Sequence, residues 1–366
     1  MFIRARKPSP TSFGRVCAQW LGRTRGCVLM LNPWTPNLMK SQIVSRYTSG
    51  LVNHATLPPR VALTLLAVLL SVSSAFAASG TWTNEPVSGS WTNVLNWNGG
   101  TVPGTINNTA NNGIDGSSVA TFTNAIPGSL IGSASSPIIP DDATVANGKA
   151  RMLYQLNFDG ATCGSYVFYS PSAYAAQTAT TPETGVLSLC DPTAANGGAN
   201  GSYIGAAVVN PQTFLIPVQI RLPSSTTGTY GFTNNAASPN ATYYFNQLFL
   251  YPGATGRGVT FVFAGSNTGT NTVASLAQSA NQTGAPTGIR KEGSGTWILS
   301  GANTFAAASS MLVTAGTLIV KDPAAFGSAT TAVVTNTGIL QIDGIGLNQM
   351  YLTLRKGGTI RMNGTA

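Results

Sequence analysis

The 366-residue chain is 43% hydrophobic, enough to fill a core, but only 8% of its residues are charged, against roughly 25% in an average soluble protein. Its net charge of +9 belongs to residues 1–77, which hold nine Lys and Arg and no Asp or Glu; residues 78–366 hold ten charges of each sign. A neutral chain beyond residue 77 lacks the footprint needed to bind a phosphate backbone, which excludes a nucleic-acid binder.

The first element is the apolar run Val61–Val72, VALTLLAVLLSV, which follows Arg60 and leads to Ala75-Phe76-Ala77. Small-x-small after a short apolar run predicts an export signal cleaved after Ala77. Twelve helical residues span about 18 Å, too short for a ~30 Å hydrocarbon core, so a membrane anchor is disfavoured. Residues 1–77 are therefore a leader, with Met39-Lys40 a more ordinary start than Met1. The mature part is expected to be exported, extracellular or at the outer cell surface, with no span of its own.

Residues 78–125 form a Trp-rich segment around Trp82, Trp91 and Trp97. These rings fit either a cap over the open end of a repeating structure or a platform that stacks on a glycan. Beyond them, Leu156–Gly160, Gly185–Asp191 and Phe261–Gly265 place apolar residues at alternate positions and end in Gly or Asp, as short strands do. Cys163 and Cys190 are the only cysteines after the leader. In an exported chain their 27-residue spacing suits one disulfide between neighbouring turns of a repeat, or equally two small buried hydrophobes. The run Tyr243, Tyr244, Phe245, Phe249 and Tyr251 predicts a buried strand with exposed neighbours.

The clearest signal is a repeat over residues 290–366. Gly295, Trp297, Leu299 and Gly301 set a frame that returns as Gly316, Leu318 and Val320, as Gly338, Leu340 and Ile342, and as Gly358, Ile360 and Met362. The leading glycines lie 21, 22 and 20 residues apart. A strand with one apolar face, repeated at that interval, buries the face by stacking on its next copy. The predicted fold is all-β: a single-stranded right-handed parallel β-helix, a solenoid with irregular loop insertions, over residues 126–366. An antiparallel sandwich would also show short strands, but not the regular ~21-residue recurrence. Asn303 falls in the turn after the first copy, where turn amides can stack.

Lys291 to Val320, KEGSGTWILSGANTFAAASSMLVTAGTLIV, resembles the autotransporter-associated β-strand repeat, also called the passenger-associated transport repeat, of secreted bacterial proteins. Lys291, Gly293, Gly295, Leu299, Ser300, Gly301, Asn303, Thr304 and Phe305 match the first half of that motif, and Ala315, Gly316, Thr317 and Leu318 the second. The segment around Trp82, Gly89-Ser90-Trp91, Asn96-Trp97, Val102-Pro103 and Ala120-Thr121-Phe122 is similar to the Trp-rich opening of the same group. The resemblance implies a β-helical passenger. Such proteins end in a membrane barrel or a sorting tail, whereas this chain stops in mid-repeat and reads as an amino-terminal fragment of a larger surface protein.

Little in the sequence carries chemistry. The sole histidine, His54, lies in the leader, which excludes Ser-His-Asp and Cys-His sites and His-ligated metals from the mature part. The Gly293-Ser294-Gly295 turn lacks both the third glycine of a dinucleotide loop and the Lys-Ser/Thr of a phosphate loop. Asp141-Asp142 are adjacent and suit a turn, and Asp159, Asp191, Asp322 and Asp343 recur at strand ends as turn formers. The expectation is a non-catalytic structural or adhesive stalk with no cofactor or metal, whose partners are surface glycans or other cell-surface proteins. The alternatives are a β-helical polysaccharide lyase or glycosidase, and a glycan-binding module.

Overall fold

The computed structural model describes residues 79–106, 118–140, 151–173, 185–190, 199–221, 228–251, 259–278, 286–304, 307–329, 331–346 and 351–364. These all belong to one compact unit, Phe76–Ala366. The expected leader and cleavage site, His54, Asp141, Asp142, Asp191 and Phe305 lie outside the described residues. Among the described residues, no helix is long and apolar enough to cross a membrane.

Nearly all regular structure is strand. In chain order the first strands are β1 (Gly80–Thr81), β2 (Thr105–Ile106), β3 (Val119–Phe122), β4 (Arg151–Leu153), β5 (Gln155–Phe158), β6 (Val167–Phe168) and β7 (Leu187–Cys190). Then come β8 (Ala199–Ile204), β9 (Gln212–Arg221), β10 (Gly228–Asn234), β11 (Tyr243–Tyr251), β12 (Val259–Gly265), β13 (Asn271–Val273) and β14 (Leu276–Gln278). The last are β15 (Pro286–Lys291), β16 (Thr296–Leu299), β17 (Ala307–Val320), β18 (Thr331–Asp343), β19 (Tyr351–Leu354) and β20 (Thr359–Asn363).

Every pairing between these strands is parallel except β2 with β4. Parallel neighbours separated by long crossovers form a parallel β-helix, and the pairings sort the strands onto three faces. The first face runs β1, β3, β5, β8, β10, β12, β15, the first halves of β17 and β18, and β19. The second runs β6, the first parts of β9 and β11, then β13, β16, the second halves of β17 and β18, and β20. The third contains β4, β7, the last parts of β9 and β11, and β14.

Coil length changes along the helix. On the first face, Ala120 stands beside Leu156, Leu156 beside Ser202, Ser202 beside Phe232, Phe232 beside Phe263 and Phe263 beside Lys291, offsets of 36, 46, 30, 31 and 28 residues. Lys291 then pairs with Val313, Val313 with Val334 and Val334 with Leu354, offsets of 22, 21 and 20. Among the described residues the third face ends with β14 and the Ala277–Thr304 bridge. From there β17 and β18 each pass from the first face to the second as a single strand, with a register shift between Val313 and Ala315. Shorter coils have no residues left for a third strand.

Core composition follows the cross-section. The three-faced coils are filled by an aromatic column: Phe122 against Phe158 at 5.4 Å, Phe168 against Phe214 at 4.7 Å, Phe214 against Phe245 at 4.8 Å, and Phe263 against Trp297 at 4.8 Å. The two-faced coils need smaller fillers, and there Leu318, Val320, Leu340 and Ile342 are buried. Gly265 marks a close approach. Its φ is +105° and a Cβ would fall on the Asn234 carbonyl of the preceding coil, so only glycine fits.

The repeat frame stacks in register. Trp297 pairs with Leu318, Leu318 with Leu340 and Leu340 with Ile360, while Leu299, Val320, Ile342 and Met362 form the parallel ladder beside them. The expected upstream copies are strands too, but they occupy different faces: Leu156–Phe158 and Phe261–Phe263 lie on the first, and Leu187–Cys190 on the third. A period of two reveals a strand's apolar side, and the length of the intervening chain decides which face the strand joins.

Candidate functional site

Three groupings of polar or aromatic side chains stand out. The first is the tryptophan cluster at β1. Trp82, Trp91 and Trp97 are 0%, 0% and 2% exposed. Trp82 meets Trp97 at 5.0 Å and 88°, Trp91 meets Trp97 at 4.7 Å and 61°, and all three pack on Phe122. Edge-to-face packing of this kind adds to the burial of large rings. The Trp91 Nε1–H donates to Pro103 O (3.1 Å) and the Trp97 Nε1–H to Trp91 O (2.7 Å). Asn96, fully buried, donates from Nδ2 to Ser88 O and Ser90 O and accepts from Val87 N, which folds the 87–96 loop onto the cluster. Rings that are buried and mutually tilted cannot lie flat on a sugar. Of the two readings offered for Trp82, Trp91 and Trp97, a cap or a glycan platform, the platform is therefore corrected: these side chains are core.

The second grouping surrounds Cys163, a buried free thiol, so that of the two readings offered for this cysteine, disulfide or small buried hydrophobe, its placement fits the second. The coil from Leu156 to Ser202 is 46 residues long, so both cysteines fall within one coil rather than in neighbouring ones. Cys163 lies in the turn after β5, and Cys190 ends β7 beside Arg221. The Gln212 amide, also buried, donates to Gly164 O (2.9 Å) and Asn210 O (3.1 Å) and reaches the Cys163 Sγ at 3.9 Å. Burial pushes the thiol up from 9.0 to about 12, leaving it protonated and a poor nucleophile. Burial likewise raises the Tyr166 and Tyr243 hydroxyls, the latter hydrogen-bonded to Ser202 Oγ at 2.7 Å.

These shifts predict alkaline lability. A proton held more tightly by the folded chain gives stability that is full below the unfolded pKa and is lost as pH rises through the folded one. For Cys163 the window runs from about pH 9 to about 12. Relative to Cys163→Ala, the wild type is expected to lose about 1.4 kcal/mol per pH unit inside that window and nothing below pH 8. Urea unfolding of both proteins at pH 7, 9, 10 and 11 checks this; parallel curves throughout would refute it.

The third grouping is an amide network at the corner entering the second face. Asn271 Oδ1 accepts from Asn234 Nδ2 (2.6 Å) and Tyr243 N (3.0 Å), while Asn271 Nδ2 donates to Asn267 Oδ1 (3.2 Å) and Thr296 O (2.9 Å). Asn267 donates in turn to Ala236 O (3.0 Å) and Ser238 O (2.7 Å). Three successive coils are thus joined by side-chain amides, all buried. The sequence reading placed such a ladder at Asn303. That residue instead bonds backbone on both sides, accepting from Leu276 N at 2.6 Å and donating to Ala325 O. Asn267 and Asn271 flank the turn Asn-Thr-Gly-Thr-Asn, the one local hint that was available.

Among the described residues the acids do not converge. Asp159 Oδ1 accepts from Gly160 N (2.8 Å) and Asp322 Oδ1 from Ala324 N (2.8 Å), each within its own turn. Asp343 Oδ1 accepts from Gln341 Nε2 (3.1 Å) and Asn363 Nδ2 (2.8 Å), with Lys321 Nζ 4.0 Å from Oδ2. Among the described residues no three His, Cys, Asp or Glu side chains gather where they could hold a metal ion. What the three groupings do chemically is satisfy backbone groups at the corners of the coil.

Comparison of the chain with protein-family models, with curated proteins and with solved structures finds no match.

Proposed function

We propose that this chain is a non-catalytic structural or adhesive stalk of an exported surface protein, a β-helical passenger of the kind its repeats resemble. The observation that carries the reading is where its polar chemistry goes. Buried amides and aromatic rings are committed to joining successive coils, and the turn acids Asp159 and Asp322 to their own loops. Low charge and parallel pairing across nineteen of the described strands suit a stiff, protease-resistant display of loops. Surface glycans or other cell-surface proteins are the proposed partners, and the apolar run Val61–Val72 with Ala75-Phe76-Ala77 supports export.

The purified protein is expected to release no reducing sugar or unsaturated product from a panel of plant, microbial and animal polysaccharides. Turnover that disappears on Asp141→Asn or Asp142→Asn would replace this reading with that of a carbohydrate-active enzyme.

A further inference from the structure

Lys291 is an inward-facing residue of the first face, in the ladder Phe232, Phe263, Lys291, Val313, Val334, and it is 0% exposed. Among the described residues no carboxylate is in ion-pair contact with it, although the nearby charge of Glu292 acts to raise its pKa. The adjacent Glu292 is held by Arg290, Nε to Oε1 at 2.6 Å. Instead the Lys291 Nζ donates to three backbone carbonyls, Glu292 O (2.7 Å), Gly293 O (2.7 Å) and Ala315 O (3.1 Å). Three acceptors require three N–H bonds, which a neutral amine does not have, so the group is an ammonium. Burial lowers its pKa from 10.5 to about 8, which still leaves it protonated at neutral pH.

The surrounding backbone is shaped for that ion. Ala315 sits at the register shift of β17, where the chain turns from the first face to the second. Gly293 and Gly316 both have left-handed backbone, φ +65° and +64°, and a Cβ on Gly316 would meet Gly293 O and Gly295 O and lie 2.7 Å from the Lys291 Nζ. Thr314 Oγ1 donates to Lys291 O (3.0 Å), so the same residue is gripped at both ends by the next coil. This corner coincides with the drop in coil offset from 28 to 22 residues.

We propose that the carbonyls of Glu292, Gly293 and Ala315 form a binding site for a primary ammonium ion, filled by the chain's own Lys291, and that this internal ion fastens the three-faced coils to the two-faced ones. The proposal is independent of the stalk reading. Removing the ammonium leaves convergent carbonyl dipoles without a counterion, a vacancy that a small alkylammonium from solution can refill.

The test uses the full chain. Lys291→Met keeps the stem and removes the donors; its melting temperature is expected to fall by about 5 °C or more. Lys291→Ala is expected to fall further and to regain at least half of its loss in ethylammonium chloride, but not in equal concentrations of tetramethylammonium chloride, which has no N–H. A Met variant as stable as the wild type, or equal recovery in both salts, overturns the proposal. Should neither variant fold, nitrogen-15 spectra of wild-type lysine amines decide. One –NH₃⁺ resonance persisting after the others have exchanged with water supports the site, and its absence overturns it.

Discussion

Asn271→Leu is expected to destabilise the protein by about 3–5 kcal/mol, although Leu keeps the branched skeleton of the Asn side chain and is the larger of the two. The substitution leaves no cavity to explain a loss. It removes the acceptor of Tyr243 N and one acceptor of Asn234 Nδ2, together with the donor to Thr296 O and Asn267 Oδ1, all in a buried corner. Each buried group left without a partner costs roughly 1–3 kcal/mol, and Asn234 keeps a second bond to Ala241 O, which limits the sum. Equilibrium urea unfolding followed by circular dichroism should show a lower midpoint with an unchanged slope. A shift below about 1 kcal/mol would mean that the amide network is not what holds this corner.

The second large effect concerns Trp297. Trp297→Ala is expected to lower stability by about 3–5 kcal/mol, and Trp297→Phe by much less. The ring is 1% exposed, lies 4.8 Å from Phe263 and 5.9 Å from Tyr243, and donates from Nε1 to Ala264 O at 3.1 Å. It is also the last ring of the aromatic column: its ladder partner on the next coil is Leu318. A void here separates the wide coils from the narrow ones. Hydrogen exchange in Trp297→Ala should therefore accelerate most in β13, β16 and the second half of β17, and least in β3 and β5. Uniform acceleration along the chain would contradict this placement.

Trp297 and Leu299 were legible as inward residues from GSGTWILSGANTF alone, because alternation bounded by glycine leaves only one way to face the core. Ile298 between them is 5% exposed, although alternation assigns it to the outer side of the strand; the pattern reports which side an apolar residue favours, not whether the other side is covered. The aromatic run of β11 was equally readable: Tyr243 and Phe245 are buried and Tyr244 is 37% exposed. The tryptophan trio was harder. Aromatic rings suit a cap and a sugar platform alike, and only their tilt and burial separate the two. Lys291 was visible merely as a motif letter, since a lysine ordinarily sits in solvent and nothing local announces three carbonyls from two coils.

The sequence by itself determined that this is a strand-and-turn chain and that residues 290–366 stack in register. A constant interval of about 21 residues combined with a period of two favours stacking successive copies over an antiparallel sandwich as the way to bury one apolar face. The tertiary structure decided everything that depends on coil length: which face each upstream strand joins, that Cys163 and Cys190 share one coil, and where three faces become two. Local alternation is written in neighbouring residues, whereas face and partner are set by how much chain lies between strands, and upstream that length varies from 28 to 46 residues.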